Sequence, residues 1–582
     1  MTDSARSLGY RLRALLGEIY PELDVDILAS MVLDAFWPED TTRRKRGRVA
    51  GNTLWSEQDA LLITYGNSIV DGAHKPLDLL NDFLHRYLRG ILNSVHILPF
   101  FPYTSDDGFA VSDFRAVNPQ LGDWPDINRI AADFTLMSDL VLNHVSSQGN
   151  WFNAYRQGQS PFDTFFFEAS PQDDLRDVVR PRTTPLLQEV ETPNGPRHVW
   201  CTFSHDQIDL DFRNPEVLLE FLRIIRLHVD NGVQIIRLDA VAFLWKQIGT
   251  PSIHLPQTHA IVRLMRLLCD YAPEKIILLT ETNVPKAENL SYFGAGDEAH
   301  AIYNFPLPPL ILHAMMSGNG AHLRRWQRTM PPAPMGCAYL NFTSSHDGIG
   351  MRPAEGLLPE DEKQQVIDTV LQVGGLVSMR SLPDGGQSPY ELNTTFYDAL
   401  SRTFKGEDDH HHARFICSQT IVMSLEGIPA FYIHAMLATP NDHAQVEHRG
   451  MSRAINRHRW DYPSLRDRLA DASSAQSQVL GDLSARLKVR QKQKAFHPNA
   501  TQFTVNLQDD RVFGVWRQSL DRKQSIFALH NVSDASVAIS AAALNLIEDQ
   551  PWLDLISDDL IDASADHITL APYQCMWITN RF

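Results

Sequence analysis

Apolar residues keep two different rhythms along this chain. Over the first forty positions Leu8, Leu12, Leu15, Leu16 and Ile19 share one helical stripe, and Ile27, Met31 and Phe36 mark a second after Pro21. Read as helical periodicity, the two stripes predict a helical N-terminal extension over residues 1–58. From residue 60 the apolar residues instead form short runs rich in Ile, Leu and Val, separated by amphipathic stretches. These are LLITY (61–65), SVHILP (94–99), SDLVLN (138–143), VQIIRLD (233–239), KIILLTE (275–281), AIYNF (301–305), CAYLNF (337–342) and IPAFY (428–432). Nearly continuous apolar strands are buried on both faces, and their alternation with helices means a parallel sheet. Eight of them predict an α/β protein with a closed (β/α)8 TIM barrel over 59–490.

Two intervals exceed what barrel loops need. Residues 147–214 and 350–412 are expected to be inserted subdomains over the face where the strands end, because long connections in a compact domain carry structure or function of their own. After residue 490, alternation takes over in TQFTVNLQ, RVFGVWRQ, QSIFALHNV and HITLAPYQCMWITN, which predicts a C-terminal β-sandwich over 491–582.

Composition then removes several classes. Of 582 residues, 43% are hydrophobic and 21% charged, which excludes fibrous and disordered chains. Lys and Arg number 52 against 70 Asp and Glu, a net charge of -18; a nucleic-acid partner, which requires basic excess, is not expected. The run Arg43, Arg44, Lys45, Arg46 and Arg48 reads as a solvated linker, and the triplet His410–His412 as solvated surface. Neither a signal-peptide core nor an 18-residue apolar run occurs, so no export and no membrane span are expected. Five scattered cysteines without Cys-x-x-Cys spacing fit a reducing cytoplasm rather than a disulfide framework or a zinc site.

Polar residues gather at the ends of the predicted barrel strands, where barrel active sites are built. Asn143 and His144 follow the third run, Arg237 and Asp239 end the fourth, Glu281 ends the fifth, and His346 with Asp347 follows the seventh. Paired carboxylates suit retaining glycoside chemistry, in which one attacks the anomeric carbon and the other passes a proton to and from the leaving oxygen. Arg237 lies two positions before Asp239, so both project to one side of a strand, where the guanidinium would keep Asp239 ionised.

The segments DLVLNH (139–144), IIRLDAV (235–241), LLTETN (278–283) and SSHDGIG (344–350) resemble, in order, the four regions that mark the α-amylase superfamily, glycoside hydrolase family 13. LLITYGNSI (61–69), PFFPYTSDDGFAVSDF (99–114), RPRTTP (180–185), TFSHDQIDLDF (202–212), SPYELNTTFYDAL (388–400) and SRAINRH (452–458) resemble segments of its sucrose-phosphorylase-like subfamily. The N-terminal extension is similar to that of longer members acting on glucosylglycerol, glucosylglycerate or sucrose phosphate. The resemblance implies Asp239 as nucleophile, Glu281 as general acid/base and Asp347 as the carboxylate that stabilises the transition state. It also implies that Asp106, His144, Arg237, His346 and Arg453 surround the glucosyl ring, that Phe109 and Phe203 wall it with Gln207 beside them, and that Arg182 and Tyr390 bind phosphate.

The implied reaction is reversible phosphorolysis of an α-glucoside with retention. Its partners are the small-molecule glucoside and inorganic phosphate as co-substrate, with no cofactor and no metal. Asn143, a calcium position in some amylase relatives, is expected to support His144 instead. The expected acceptor is glycerol, making the substrate 2-O-α-glucosylglycerol. The segment SLPDGGQSPYELNTTFY (381–397) holds Asp384 and Glu391 but no Lys or Arg, and Glu391 would accept hydrogen bonds from vicinal hydroxyls while repelling an anion. Arg352, after the HDGIG motif, keeps glucosylglycerate as the main rival. Sucrose or sucrose 6'-phosphate comes next, although Phe243 stands where sucrose-specific members carry a tyrosine, and a hydrolase or transglucosidase is the remaining reading.

Overall fold

The computed structural model describes residues 3–38, 54–381, 386–544, 546, 551–562 and 564–580. Eight parallel strands close a barrel in chain order: β1 (Leu61–Thr64), β2 (Ser94–Ile97), β3 (Thr135–Val141), β4 (Val233–Asp239), β5 (Ile277–Thr280), β6 (Ala301–Tyr303), β7 (Ala338–Asn341) and β8 (Ile428–Tyr432). Each lies within one of the apolar runs or overlaps it. The strands β1, β2, β5, β6, β7 and β8 are buried along their whole length, the pattern that helices outside and packed side chains inside a barrel require. Register sets Asp139 of β3 beside Arg237 of β4, and Val141 beside Asp239.

The N-terminal extension is two helices, α1 (Asp3–Ile19) and α2 (Val25–Phe36), which pack against the barrel helices α4 (Pro256–Tyr271) and α3 (Pro215–Asp230) respectively. The Tyr20 hydroxyl donates to the Phe212 carbonyl at 2.9 Å, and Arg263 pairs with Glu18 at 2.7 Å. Leu8, Leu12, Leu16 and Ile19 are buried as expected, with Leu15 half-buried. The second stripe is corrected: Ile27 is 62% and Met31 38% exposed, and the buried face is Leu28, Ala29, Val32, Ala35 and Phe36. Nine residues at about 100° per residue put Phe36 half a turn from Ile27, so the three never shared a face. The basic run at 43–48 lies outside the described residues.

Helices α5 (Leu307–Ser317) and α6 (Ala321–Arg328) connect β6 to β7. In the first insertion a hairpin of Leu187–Thr192 and Gly195–Trp200 closes over a small core of Phe167, Leu186 and Trp200. In the second, helix α7 (Glu360–Gln372) precedes an antiparallel sheet in which Gln387–Asn393 is flanked by Ile349–Gly350 and Leu376–Ser381. His410–His412 are half-buried rather than solvated, and their rings diverge. His411 Nε2 meets the Tyr397 carbonyl at 2.8 Å and His412 Nε2 meets Asp482 at 2.7 Å. The C-terminal region is a six-stranded antiparallel sheet facing the pair Val537–Ser540 and His567–Leu570, with Val512, Leu529, Val537, Ile539, Ile568 and Leu570 in the core they share. Among the described residues no helix is long and apolar enough to cross a membrane.

Candidate active site

The loops after the barrel strands enclose one cavity of about 820 Å3, its open mouth included. Asp106, Phe109, His144, Arg182, Phe203, Gln207, Arg237, Asp239, Glu281, His346, Asp347, Tyr390 and Arg453 all line it. Of the residues that the sequence reading assigned to binding sugar, phosphate or acceptor, Glu391 alone does not.

At its base, Arg237 donates through Nη1 to Asp239 Oδ1 at 2.6 Å and through the same nitrogen to Asp139, whose other oxygen lies 2.6 Å from His96 Nε2. Strands β2, β3 and β4 are thus linked by one buried chain of polar contacts ending at Asp239. The next residue, Ala240, has a left-handed backbone (φ 52°), and its N–H donates to Glu281 Oε2 at 3.3 Å. That conformation costs a non-glycine residue about 1–2 kcal/mol; it turns the chain so that the end of β4 touches the end of β5.

Burial raises the pKa of Asp239, and Glu281 and Asp139 add to the rise against the pull of Arg237. Glu281 is raised as well, by burial and then by Asp347. Arg237 therefore does not by itself hold Asp239 down, because its Nη1 is divided between two carboxylates. A proton held by the Asp239–Glu281 pair resides on Glu281, since Asp239 accepts from a guanidinium and Glu281 from a neutral backbone N–H. Burial works to raise Asp347, but Arg453, His346 and Arg457 outweigh it and hold the carboxyl well below its usual range. Burial depresses His346 to about 3 and depresses His144 too, so both imidazoles are neutral and each offers one donor and one acceptor.

Around these groups lie polar contacts and flat apolar faces. His346 stacks on Phe109 with centroids 4.9 Å apart, and His144 tilts against Phe203 at 5.1 Å. Gln207 Nε2 reaches the Phe109 carbonyl at 3.2 Å and His144 Nε2 at 3.1 Å. Asp106 and Asp107 both have left-handed backbones (φ 52° and 50°). Asp107 is clamped by Arg449 and, at 2.5 Å, by Arg457, whose Nε donates to the His346 carbonyl at 2.9 Å. Asn143 contacts His144 Nδ1 at 3.2 Å, as anticipated, and also binds Asp209 at 3.0 Å and the buried Lys246 ammonium at 2.8 Å.

At the mouth, the two insertions meet. Arg182 from the first lies over the Tyr390 ring of the second, 5.7 Å from its centroid. Arg352 lines the cavity with its Nε buried and without a hydrogen-bond partner. Among the described residues neither Arg182 nor Arg352 has a carboxylate partner.

Glu391 corrects the sequence reading. Its side chain is 3% exposed and forms a two-point pair with Arg453, Nε to Oε1 at 2.9 Å and Nη2 to Oε2 at 2.7 Å, while Arg453 Nη1 contacts Asp347. Neighbouring residues of a strand face opposite ways, so a strand that presents Tyr390 to the cavity turns Glu391 behind it. Gly348 makes room there: a Cβ on it would fall 2.4 Å from Glu391 Cγ. Glu391 positions Arg453 and is not available to an acceptor. Sequence reasoning missed Asp139, His96, Lys246, Asp209, Arg457 and Asp107. A signal existed for Arg457, four residues after Arg453 in SRAINRH, and for Asp107 in the doubled aspartate; for the others the partner is distant in sequence.

A parallel barrel whose strand ends deliver three carboxylates, two neutral histidines and aromatic walls to one cavity defines a sugar-processing enzyme of the amylase type. The alpha-amylase catalytic-domain family matches residues 85–338. The chain is 40% identical to the glucosylglycerate phosphorylase of Spirochaeta thermophila over 98% of each chain. It is 44% identical to that of Allomeiothermus silvanus over 90% of this chain and 92% of the other. It is 30% identical to the glucosylglycerol phosphorylase of Marinobacter adhaerens over 70% of this chain and 83% of the other. The chain belongs to the alpha-amylase family and, within it, to the glycoside phosphorylases.

Proposed function

We propose that this enzyme catalyses reversible phosphorolysis of an α-glucoside of glycerate, yielding α-glucose 1-phosphate and glycerate. In the first step the Asp239 carboxylate attacks the anomeric carbon, the glycosidic C–O bond breaks, and Glu281 gives its proton to the departing oxygen. In the second, a phosphate oxygen attacks the same carbon, its proton passes to Glu281, and the ester to Asp239 breaks. Two inversions retain the α configuration. Asp347, His144, His346 and Arg453 hold the ring hydroxyls, each of which would cost about 1–3 kcal/mol if left unpaired in a dry pocket, and Phe109 and Phe203 cover its apolar faces. The chemistry requires no cofactor.

The observation that carries the acceptor is the pair of guanidiniums, Arg182 and Arg352, that line the cavity without carboxylate partners among the described residues. Arg182 with Tyr390, whose hydroxyl burial keeps neutral, suits phosphate; Arg352 suits a second anion, the glycerate carboxylate. The glycerol reading rested on Glu391, which is turned from the cavity and already neutralised by Arg453. Phe243, packed edge-on against Phe203 at 5.6 Å, offers no hydroxyl to a ketose. The full-length relatives named for glucosylglycerate support the same choice.

Two substitutions separate the arginines. Arg352→Ala should raise the KM for glycerate, measured by phosphate release from α-glucose 1-phosphate, at least about tenfold, as loss of a charge-assisted contact of about 1.5–3 kcal/mol implies, and should narrow the preference for glycerate over glycerol. Faster reaction of the parent with glycerol than with glycerate would refute the acceptor. Arg182→Ala should instead raise the KM for phosphate by a similar factor and divert the glucosyl-enzyme to water. If all activities fell in parallel, Arg182 would serve structure rather than phosphate.

A further inference from the structure

Away from the cavity, three helices bring two histidines and a glutamate together. His313 lies on α5, His322 on α6 and Glu362 in the first turn of α7. Glu362 Oε2 is 2.5 Å from His313 Nε2 and 3.0 Å from His322 Nε2, and the two rings stand 5.3 Å apart at 76°. One ligand atom from each residue falls within 4.8 Å of the other two. The His313 side chain is 2% exposed, yet neither ring nitrogen makes an aligned hydrogen bond, and His322 Nδ1 is buried without one. A buried polar group left in this state is costly; nitrogens that crowd a carboxylate oxygen without hydrogen-bond alignment are placed as ligands to a common ion would be.

We propose that His313, His322 and Glu362 form a binding site for a divalent transition metal of the zinc class, which ties the second insertion to the barrel. Two imidazoles and a carboxylate select Zn2+ or its neighbours over Mg2+ and Ca2+, which favour all-oxygen sets. Zn–N distances of about 2.0–2.1 Å in a tetrahedron space ligand atoms about 3.3 Å apart; Glu362 Oε2 lies 2.5 and 3.0 Å from the two ring nitrogens and all three atoms lie within 4.8 Å of one another, so small side-chain rotations seat the ion. Glu362 and His322 are 31% and 12% exposed, which leaves the fourth position to water. The role is structural. None of the three lines the catalytic cavity, but α7 leads into the strands Leu376–Ser381 and Gln387–Asn393, the second of which carries Tyr390.

The test uses the full-length protein, stripped with a chelator and titrated with Co2+. One Co2+ per chain should bind with the absorption bands of tetrahedral Co2+, and Zn2+ should displace it. His313→Gln removes a buried ring and is at risk of misfolding, so the decisive variants are the more exposed His322→Gln and Glu362→Gln. Loss of an outer partner of a metal ligand typically costs about 10–100-fold in affinity, so loss of a ligand itself should cost at least about a hundredfold. The melting temperature of the stripped parent should rise with Zn2+, and that of both variants should not. Absence of the Co2+ bands, bands that persist unchanged in both variants, or a parent melting temperature indifferent to Zn2+ would each overturn the site.

Discussion

Replacing Asp239 with alanine should lower phosphorolysis and its reverse by roughly 10^4-fold or more, the scale seen when a covalent nucleophile is removed. The chain ends β4 with this carboxylate, holds it through Arg237 and turns away at Ala240. Phosphate cannot substitute, because it approaches the face opposite to the one Asp239 attacks. A small anion can. Azide or formate, occupying the space left by the carboxylate, should restore measurable turnover of α-glucosyl fluoride and give a product of inverted, β configuration. Retention of more than about a thousandth of parental activity by Asp239→Ala, or an α product in the azide reaction, would remove Asp239 from its role.

The second large effect belongs to Glu281. Glu281→Gln should cost about 10^2–10^4-fold on a natural glucoside, the usual range for general acid catalysis, while formation of the glucosyl-enzyme from α-glucosyl fluoride, whose leaving group needs no proton, should be nearly spared. Burial and Asp347 raise the Glu281 pKa, so the carboxyl is protonated over a wider range than an ordinary glutamate and loses its proton as pH rises through the shifted value. Phosphorolysis should therefore fall on the alkaline side, and that limb should vanish for Glu281→Gln acting on glucosyl fluoride. Equal losses on both donors would contradict the acid role.

Most of the residues that line the cavity are legible in the sequence. Asp239 and Glu281 stand at strand ends that apolar runs mark and Asp347 on the loop that follows β7, and a barrel brings its strand ends to one mouth by construction. Asp106, Phe109, Arg182 and Arg453 came instead from resemblance, since they lie on loops whose course no periodicity reports. Two readings failed for related reasons. Nine residues set Phe36 half a helical turn from Ile27, and the pleat of its strand, not its charge, decides which way Glu391 faces.

The amino-acid sequence by itself determined the barrel, the order of its strands, the sandwich beyond it and the three carboxylates, because burial on two faces and strand-end placement are local properties written at fixed spacing. Tertiary structure alone decided how the charges pair. Arg237 is shared between Asp239 and Asp139, Arg453 is committed to Asp347 and Glu391, and Arg182 and Arg352 line the cavity without a carboxylate partner among the described residues. Pairing depends on distances of a few ångströms between residues as many as 350 positions apart, as Asp107 and Arg457 are, and Coulomb energy falls with distance in space, not along the chain. For that reason the fold could withdraw Glu391 as a ground for a neutral acceptor while leaving the class of reaction untouched.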